Sequence, residues 1–308
     1  MDLHTDLKPS VLTPFERVKA YIALTKPRII ELLLITTVPT MFVAKQGVPS
    51  FTLVLWTLLG GTLAAGGANA INMVVDRDID RLMERTKNRP LVTGAMTPTA
   101  ALVFALTLEA LAFLQLWVTV NFLSAVLAVS ATAFYVFIYT MWLKRRSKQN
   151  IVIGGAAGAV PVLVGWAAVT NSLSWAPVIM FLVIFIWTPP HFWALAVRYR
   201  DDYAAADIPM LPVVASMERT AVEILIYTIA LVASTALLGG VAHLGLIYAI
   251  TALVLGALFI FGSTKLVQLA REGKAAEKEA MRLFSFSITY LSLLFGSMMV
   301  DVLVAPHH

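Results

Sequence analysis

Apolar residues gather into nine long runs, at 28–46, 51–71, 99–119, 121–143, 151–170, 174–197, 221–242, 243–264 and 283–304. Polar connections separate them, and only "GGVAHLG" parts the seventh run from the eighth. A run of about 17 to 25 apolar residues can cross a bilayer core as a helix. The pattern predicts an all-α, polytopic membrane bundle of about nine helices. It divides the chain into a 1–27 tail, a single 28–304 transmembrane domain and a short 305–308 tail.

The connections alternate in charge. Lys and Arg fill the tail (Lys8, Arg17, Lys19, Lys26, Arg28) and the stretch after the second run (Arg77, Arg81, Arg85, Lys87, Arg89). They recur in "KRRSK" at 144–148, at Arg198, Arg200 and Arg219, and in 265–282, while the connections near 120, 172 and 243 carry none. Basic loops stay in the cytoplasm. The amino terminus and these loops are therefore expected inside, the carboxyl terminus outside, and the number of spans odd.

Composition agrees with a lipid environment. Of 308 residues, 59% are hydrophobic and 13% charged, against about a quarter charged in soluble domains. Cysteine is absent, which excludes disulfides, thiolate metal sites, a cysteine nucleophile and covalent c-type haem attachment. The start, "MDLHTDLKPSVLTPFERVKAYIALTKPR", lacks the order of a signal peptide and the acid-poor bias of a transit peptide. It reads as a cytoplasmic tail in the plasma membrane of a prokaryote, the cell inner membrane. The formal net charge of +5 is accounted for by the loops, so no nucleic-acid partner is expected.

Two of the basic connections are also acidic, "NAINMVVDRDIDRLMERTKNRPLVTG" at 69–94 and "WTPPHFWALAVRYRDDYAAADIPMLP" at 187–212. Each follows an apolar run and they lie four runs apart, which suggests a duplicated unit with converging helix ends. Counted along a helix, Asn72, Asp76 and Asp80 share one face, with carboxylates roughly 6 Å apart. The helical neighbours of Asp76 are Asn72, Met73, Ile79 and Asp80, none a cation, and Asp80 has only Arg77 behind and Glu84 ahead. Unpaired anions at a membrane boundary are costly. A divalent cation removes the cost, and hard oxygen ligands at this spacing suit Mg²⁺ bridging to a substrate's phosphates. The competing reading is a solvated face with Asp78–Arg81 and Arg81–Glu84 pairs.

Arg77, Arg81, Arg85, Lys87 and Arg89, joined by Lys144, Arg145 and Arg200, could hold diphosphate oxygens by charge-assisted hydrogen bonds; positive-inside anchoring is the plainer account of any one of them. Asp201 and Asp202 sit with Tyr199, Arg200 and Tyr203, and both can also pair with Arg198. Pro189 and Pro190 are expected to interrupt or restart the sixth run. Beside them, His191 reads as a core residue or as a contact to a flat, amphipathic substrate. Lys26 and Arg28 in "LTKPR" mark a helix entrance on the cytoplasmic side, and "GGAAGAVP" at 154–161 permits close helix approach.

Asn72-x-x-x-Asp76-x-x-x-Asp80 resembles the first aspartate-rich motif of the UbiA superfamily of intramembrane prenyltransferases, and "YRDDY" at 199–203 resembles the second. "LTKPR", "NRPLVTG", "LKRRSKQNIVIGGAAGAVPVLVGW" and "WTPPHFWALA…YRDDYAAADIPMLP" resemble its haem-farnesylating branch, over about residues 20 to 303. The resemblance implies a nine-helix bundle around a central cavity capped by the two Asp-rich loops. It implies transfer of farnesyl from farnesyl diphosphate to a vinyl group of haem B, giving haem O, with haem A synthase or oxidase assembly proteins as partners. It implies Asn72, Asp76, Asp80 and Asp202 as catalytic residues, with Asn72, Asp76, Asp80, Asp201 and Asp202 as Mg²⁺ ligands. His191, Tyr199, Tyr203, Lys26 and Arg28 are its candidates for haem or prenyl contact. The second motif departs from the usual Asp-x-x-x-Asp spacing, with Tyr199 and Tyr203 where an aspartate is expected. Two other readings are open: an aromatic quinone precursor or chlorophyllide as acceptor, and a non-enzymatic transporter of haem or a small molecule.

Overall fold

Capping side chains set where the helices begin. Thr13, Ser50, Thr97, Asn121 and Ser216 each accept a backbone N–H of the first turn that follows, satisfying a donor the helix leaves free. The computed structural model describes residues 13–304, with the side chains of 28–34 outside the described residues. Lys8 and the 305–308 tail therefore lie outside the description, as does the side chain of Arg28.

In chain order the helices are α1 (Pro14–Thr25), α2 (Pro27–Lys45), α3 (Phe51–Val75), α4 (Arg77–Asp80) and α5 (Pro98–Thr119). Next come α6 (Phe122–Ala133), which passes directly into a π-helical stretch (Phe134–Leu143), α7 (Asn150–Thr170), α8 (Trp175–Arg198) and α9 (Arg200–Ala205). The last are α10 (Leu211–Val214), α11 (Met217–Val241), α12 (Leu246–Arg271) and α13 (Glu277–Val304). Eight of the long helices are apolar enough to cross a membrane among the described residues, the α6–π pair counting as one. The 19-residue α2 coincides with the first apolar run.

Two expectations change. The segment expected as a tail holds α1, whose Ala20 and Leu24 pack with Ala70 and Met73 of α3 and Ala101 and Ala105 of α5. And α8 runs unbroken through Pro189 and Pro190. Proline is tolerated within membrane helices packed against neighbours; here it leaves the Phe185 and Ile186 carbonyls, four residues before each ring, without their helical donors.

Neighbour packing runs α2–α3–α5–α6–α7–α8–α11–α12–α13 and returns to α2, while α2–α7 and α8–α13 contacts cross the ring. Small residues allow the closest approaches. A Cβ on Gly67 of α3 would lie 2.6 Å from Glu109 of α5, and one on Gly155 of α7 would lie 2.8 Å from Thr188 of α8. At the end of the bundle opposite the basic loops, Asp301 of α13 caps α12, accepting the amides of Gly245, Ile247 at 3.1 Å and Tyr248 at 3.3 Å.

Candidate active site

The first acidic motif forms where α3 stops. Asp76 is the C-cap, with φ −86° and ψ 4°, and the single turn of α4 carries the chain on to Asp80. Asn72, Asp76 and Asp80 are all buried, and Asp76 has no exposed surface. The Asn72 amide donates to Asp76 Oδ2 at 2.7 Å, so the two do share a face. The same amide donates to the Thr140 hydroxyl at 3.2 Å.

Three cations from distant parts of the chain converge here. Lys26 Nζ donates to Asn72 Oδ1 at 2.8 Å, Lys144 Nζ pairs with Asp76 Oδ2, and Arg89 Nη1 donates to Asp80 Oδ2 at 2.6 Å. Arg145 Nη2 stands 3.9 Å from Asp76 Oδ1. The expectation of unpaired carboxylates is thereby corrected: no cation lies in reach along the helix, but Lys144, 68 residues onward, is brought there by the fold. The π-helical stretch aims it. The Lys144 amide donates to the Tyr139 carbonyl, five residues back, and the Thr140 hydroxyl donates to the Tyr135 carbonyl, also five back. The wider turn presents Thr140 and Lys144 together; such insertions recur at functional sites.

Three positive groups thus face two carboxylates, an arrangement suited to an anionic ligand. The Lys26 ammonium is pulled down to about 7 by burial and then by the nearby Arg89 and Lys144 charges. Asp76 Oδ1 is buried without a hydrogen-bond partner, a cost of about 1–3 kcal/mol unless something else engages it. Among the described residues no three His, Cys, Asp or Glu side chains form a closed metal cage. Two carboxylates and one amide oxygen fit a hard cation that draws its remaining ligands from water and phosphate, which is how Mg²⁺ binds.

The second acidic segment is drawn against the first by an apolar seam of Ile79, Met83, Ile151, Ala196, Tyr203 and Ile208. Both oxygens of Asp202 accept backbone amides, Glu84 at 3.3 Å and Arg85 at 3.1 Å. Asp201 is exposed. Asp202 therefore holds one loop to the other, and among the described residues no hydrogen bond or ion pair joins either carboxylate to the buried cluster. Arg85 lies over the rings of Tyr199 and Tyr203, at 5.5 and 6.0 Å, and burial raises the Tyr203 phenol.

The other candidate cations are dispersed. Arg145 holds Asp78 with two bonds of 2.6 Å and the Val75 carbonyl at 3.2 Å, which keeps the Asp78 carboxyl below its ordinary range. Arg77, with Asp78, Arg145, Val74, Val75 and Met141, lines a surface cleft of about 360 Å³. Arg81 and Arg200 are exposed, and Lys87 pairs with Glu84 at 2.5 Å. His191 is buried on α8 against Phe284 and Ser287 of α13, and no hydrogen bond joins it to the cluster. Thr140 went unnoticed in the sequence because a hydroxyl in an apolar run carries no periodic signal, and Thr86, whose hydroxyl donates to the Asp80 carbonyl at 2.9 Å, because it stands among the charged residues of the 81–89 connection.

The model of the UbiA prenyltransferase family matches residues 33–288. A protoheme IX farnesyltransferase of Streptomyces avermitilis is 55% identical over 92% of this chain and 94% of its own length. One of Streptomyces coelicolor is 54% identical over 92% and 91%. A solved structure described for digeranylgeranylglyceryl phosphate synthase superposes with TM-score 0.75 at 17% identity, covering 94% of this chain and 100% of that one. A UbiA homologue of Archaeoglobus fulgidus bound to GPP and Mg²⁺ superposes with TM-score 0.61 at 17% identity, over 91% and 99%. At such identities these structures establish the fold.

Proposed function

The chain belongs to the UbiA prenyltransferase family, and from that premise we propose that it transfers the farnesyl group of farnesyl diphosphate to a vinyl group of haem B, giving haem O and diphosphate. The shared name of the relatives supports both substrates. The observation that carries the chemistry is the buried meeting of Lys26, Arg89 and Lys144 with Asn72, Asp76 and Asp80.

The reaction needs a good leaving group and a dry place for a cation. As the allylic C–O bond breaks, its electron pair leaves with diphosphate. Lys26, Lys144 and Arg89, which hold the amide and carboxylates in the free protein, are the groups that would meet that growing charge. Asn72, Asp76 and Asp80 would hold a divalent cation, Mg²⁺ on the grounds of its oxygen chemistry, and its charge would offset that of the diphosphate. The apolar bundle would keep the farnesyl cation from water until the vinyl π electrons form the new C–C bond. Water then adds to the carbon next to the macrocycle and releases a proton, leaving the hydroxyethylfarnesyl group. Asp202 is a positioning residue, fixing the 84–85 backbone beside the site. The basic loops and amino terminus face the cytoplasm of a prokaryotic inner membrane, as their Lys and Arg distribution supports.

Mass spectrometry of haem extracted after expression in a strain lacking haem O tests the reaction; a hydroxyethylfarnesyl adduct is expected, and unmodified haem B alone would refute it. In purified protein with excess Mg²⁺, Asp76→Asn should lower haem O formation about 10²- to 10³-fold.

A further inference from the structure

Asn69, one turn before Asn72 on α3, is buried and takes no part in the chemistry above. Its side-chain amide donates to the Thr25 carbonyl at 3.0 Å. A carbonyl only accepts, so the NH₂ end of the carboxamide faces it. Thr25 is the last residue of α1, where a carbonyl has no helical donor of its own. Lys26 comes next, with a left-handed backbone at φ 52° and ψ 64°, and Pro27 follows it. Residues with a side chain rarely take that region, and a proline drives its predecessor toward extended backbone. Such strain persists only where the surroundings impose it.

Here α3 imposes it. Besides the Asn69 bond, Gly66 lets the Thr25 side chain come close, since a Cβ on that glycine would lie 3.2 Å from the threonine methyl. Asn69 and Asn72 are three apart and so share a face of α3. The first takes the backbone just before Lys26, and the second takes the Lys26 ammonium at 2.8 Å. A ligand acts on these two bonds differently. An anion that draws the ammonium onto its own oxygens breaks the bond to Asn72 and leaves the bond from Asn69 intact. A lysine stem is flexible, so its ammonium returns to one point only if the backbone beneath it is fixed. A helix end that needed only a left-handed cap would be served by Gly or Asn; a lysine at this position brings an ammonium to the site.

We infer that Asn69 is a positioning residue: it fastens the left-handed turn at Lys26 to α3 and keeps the ammonium at the diphosphate site once its bond to Asn72 is given up. This rests on the reading above in which Lys26 meets the diphosphate, and it adds the group that aims that lysine.

The test is a double-mutant cycle on purified full-length protein in lipid nanodiscs with Mg²⁺ present. Two quantities are read: KM for farnesyl diphosphate with haem B as acceptor, and Kd for inorganic diphosphate by calorimetry, which needs no acceptor. Asn69→Ala should raise both about tenfold, the scale of one charge-assisted contact. In a Lys26→Gln background the same change should raise them less than about twofold, because the two residues act as one unit. A merely structural role gives the same factor in both backgrounds, and that result overturns the inference, as do unchanged constants in Asn69→Ala. Should Asn69→Ala fail to fold, Asn69→Ser decides on the same outcomes, since a helical serine hydroxyl bonds back to its own helix and does not reach Thr25. Lys26→Gln alone separates the two ideas. If it raises KM and Kd while Asn69→Ala does not, the diphosphate contact stands and the positioning role falls. If it leaves both unchanged, the contact falls and the positioning role with it.

Discussion

Lys26 burdens the free protein. Its ammonium is depressed to about 7 in the fold and returns to about 10.4 when unfolded, so between those values the unfolded chain binds more protons and stability rises with pH. The destabilisation is complete below about pH 7 and fades as the pH climbs toward 10. Lys26→Gln should therefore melt higher than wild type at pH 6, and the difference should shrink as the pH rises and close only near the unfolded value of about 10.4, as thermal unfolding in detergent will show. The same substitution should raise KM for farnesyl diphosphate. At this scale the sequence was partly legible. The spacing of Asn72 and Asp76 placed both on one face, and they do touch. Their cations were not legible, because Lys144 and Arg89 arrive through chain reversals that helical counting from Asp76 or Asp80 does not reach.

Between elements, the Asp202 carboxylate is the stitch from the second acidic loop to the first. Asp202→Ala should free the 84–85 amides, cost about 1–2 kcal/mol of stability and reduce kcat/KM through displacement of Arg89. Asp201→Ala, at an exposed position, should change little; equal losses in both variants would refute the distinction. Gly155 tests helix packing. Gly155→Val would drive its side chain into Thr188 and cost about 1–3 kcal/mol as overpacking, visible as a lower melting temperature. Helix positions followed from the apolar runs, since 17 or more apolar residues have few alternatives. The π-helical stretch did not. Hydrophobic periodicity has no purchase on a segment apolar all round, so the turn that carries Thr140 and Lys144 to the site was hidden.

For the whole molecule, side chains said where the bundle meets lipid but little about which helix meets which. Lipid-facing and helix-facing positions are both apolar, and small residues rather than hydrophobicity mark the contacts. The α2–α7 and α8–α13 crossings accordingly left no trace in the apolar pattern, although "GGAAGAVP" flagged Gly155. Topology is open to direct test because the chain contains no cysteine. In oriented vesicles, Lys148→Cys should react with a membrane-impermeant maleimide from the cytoplasmic side only, and Ser172→Cys from the opposite side only. Labelling of each from the side opposite to that expected would overturn the proposed orientation, and labelling of both from one side would overturn the crossing of α7 between them.

Asp301 has a practical bearing on how the protein can be handled. It lies near the end of α13 yet holds the first amides of α12, so the last turns of the chain act as a clasp for a different helix. Trimming before that residue would leave Gly245, Ile247 and Tyr248 without an acceptor at the rim of the bilayer. Affinity handles or reporter fusions appended after residue 304 should preserve the clasp, whereas shortened versions should be recovered in lower yield and unfold more readily.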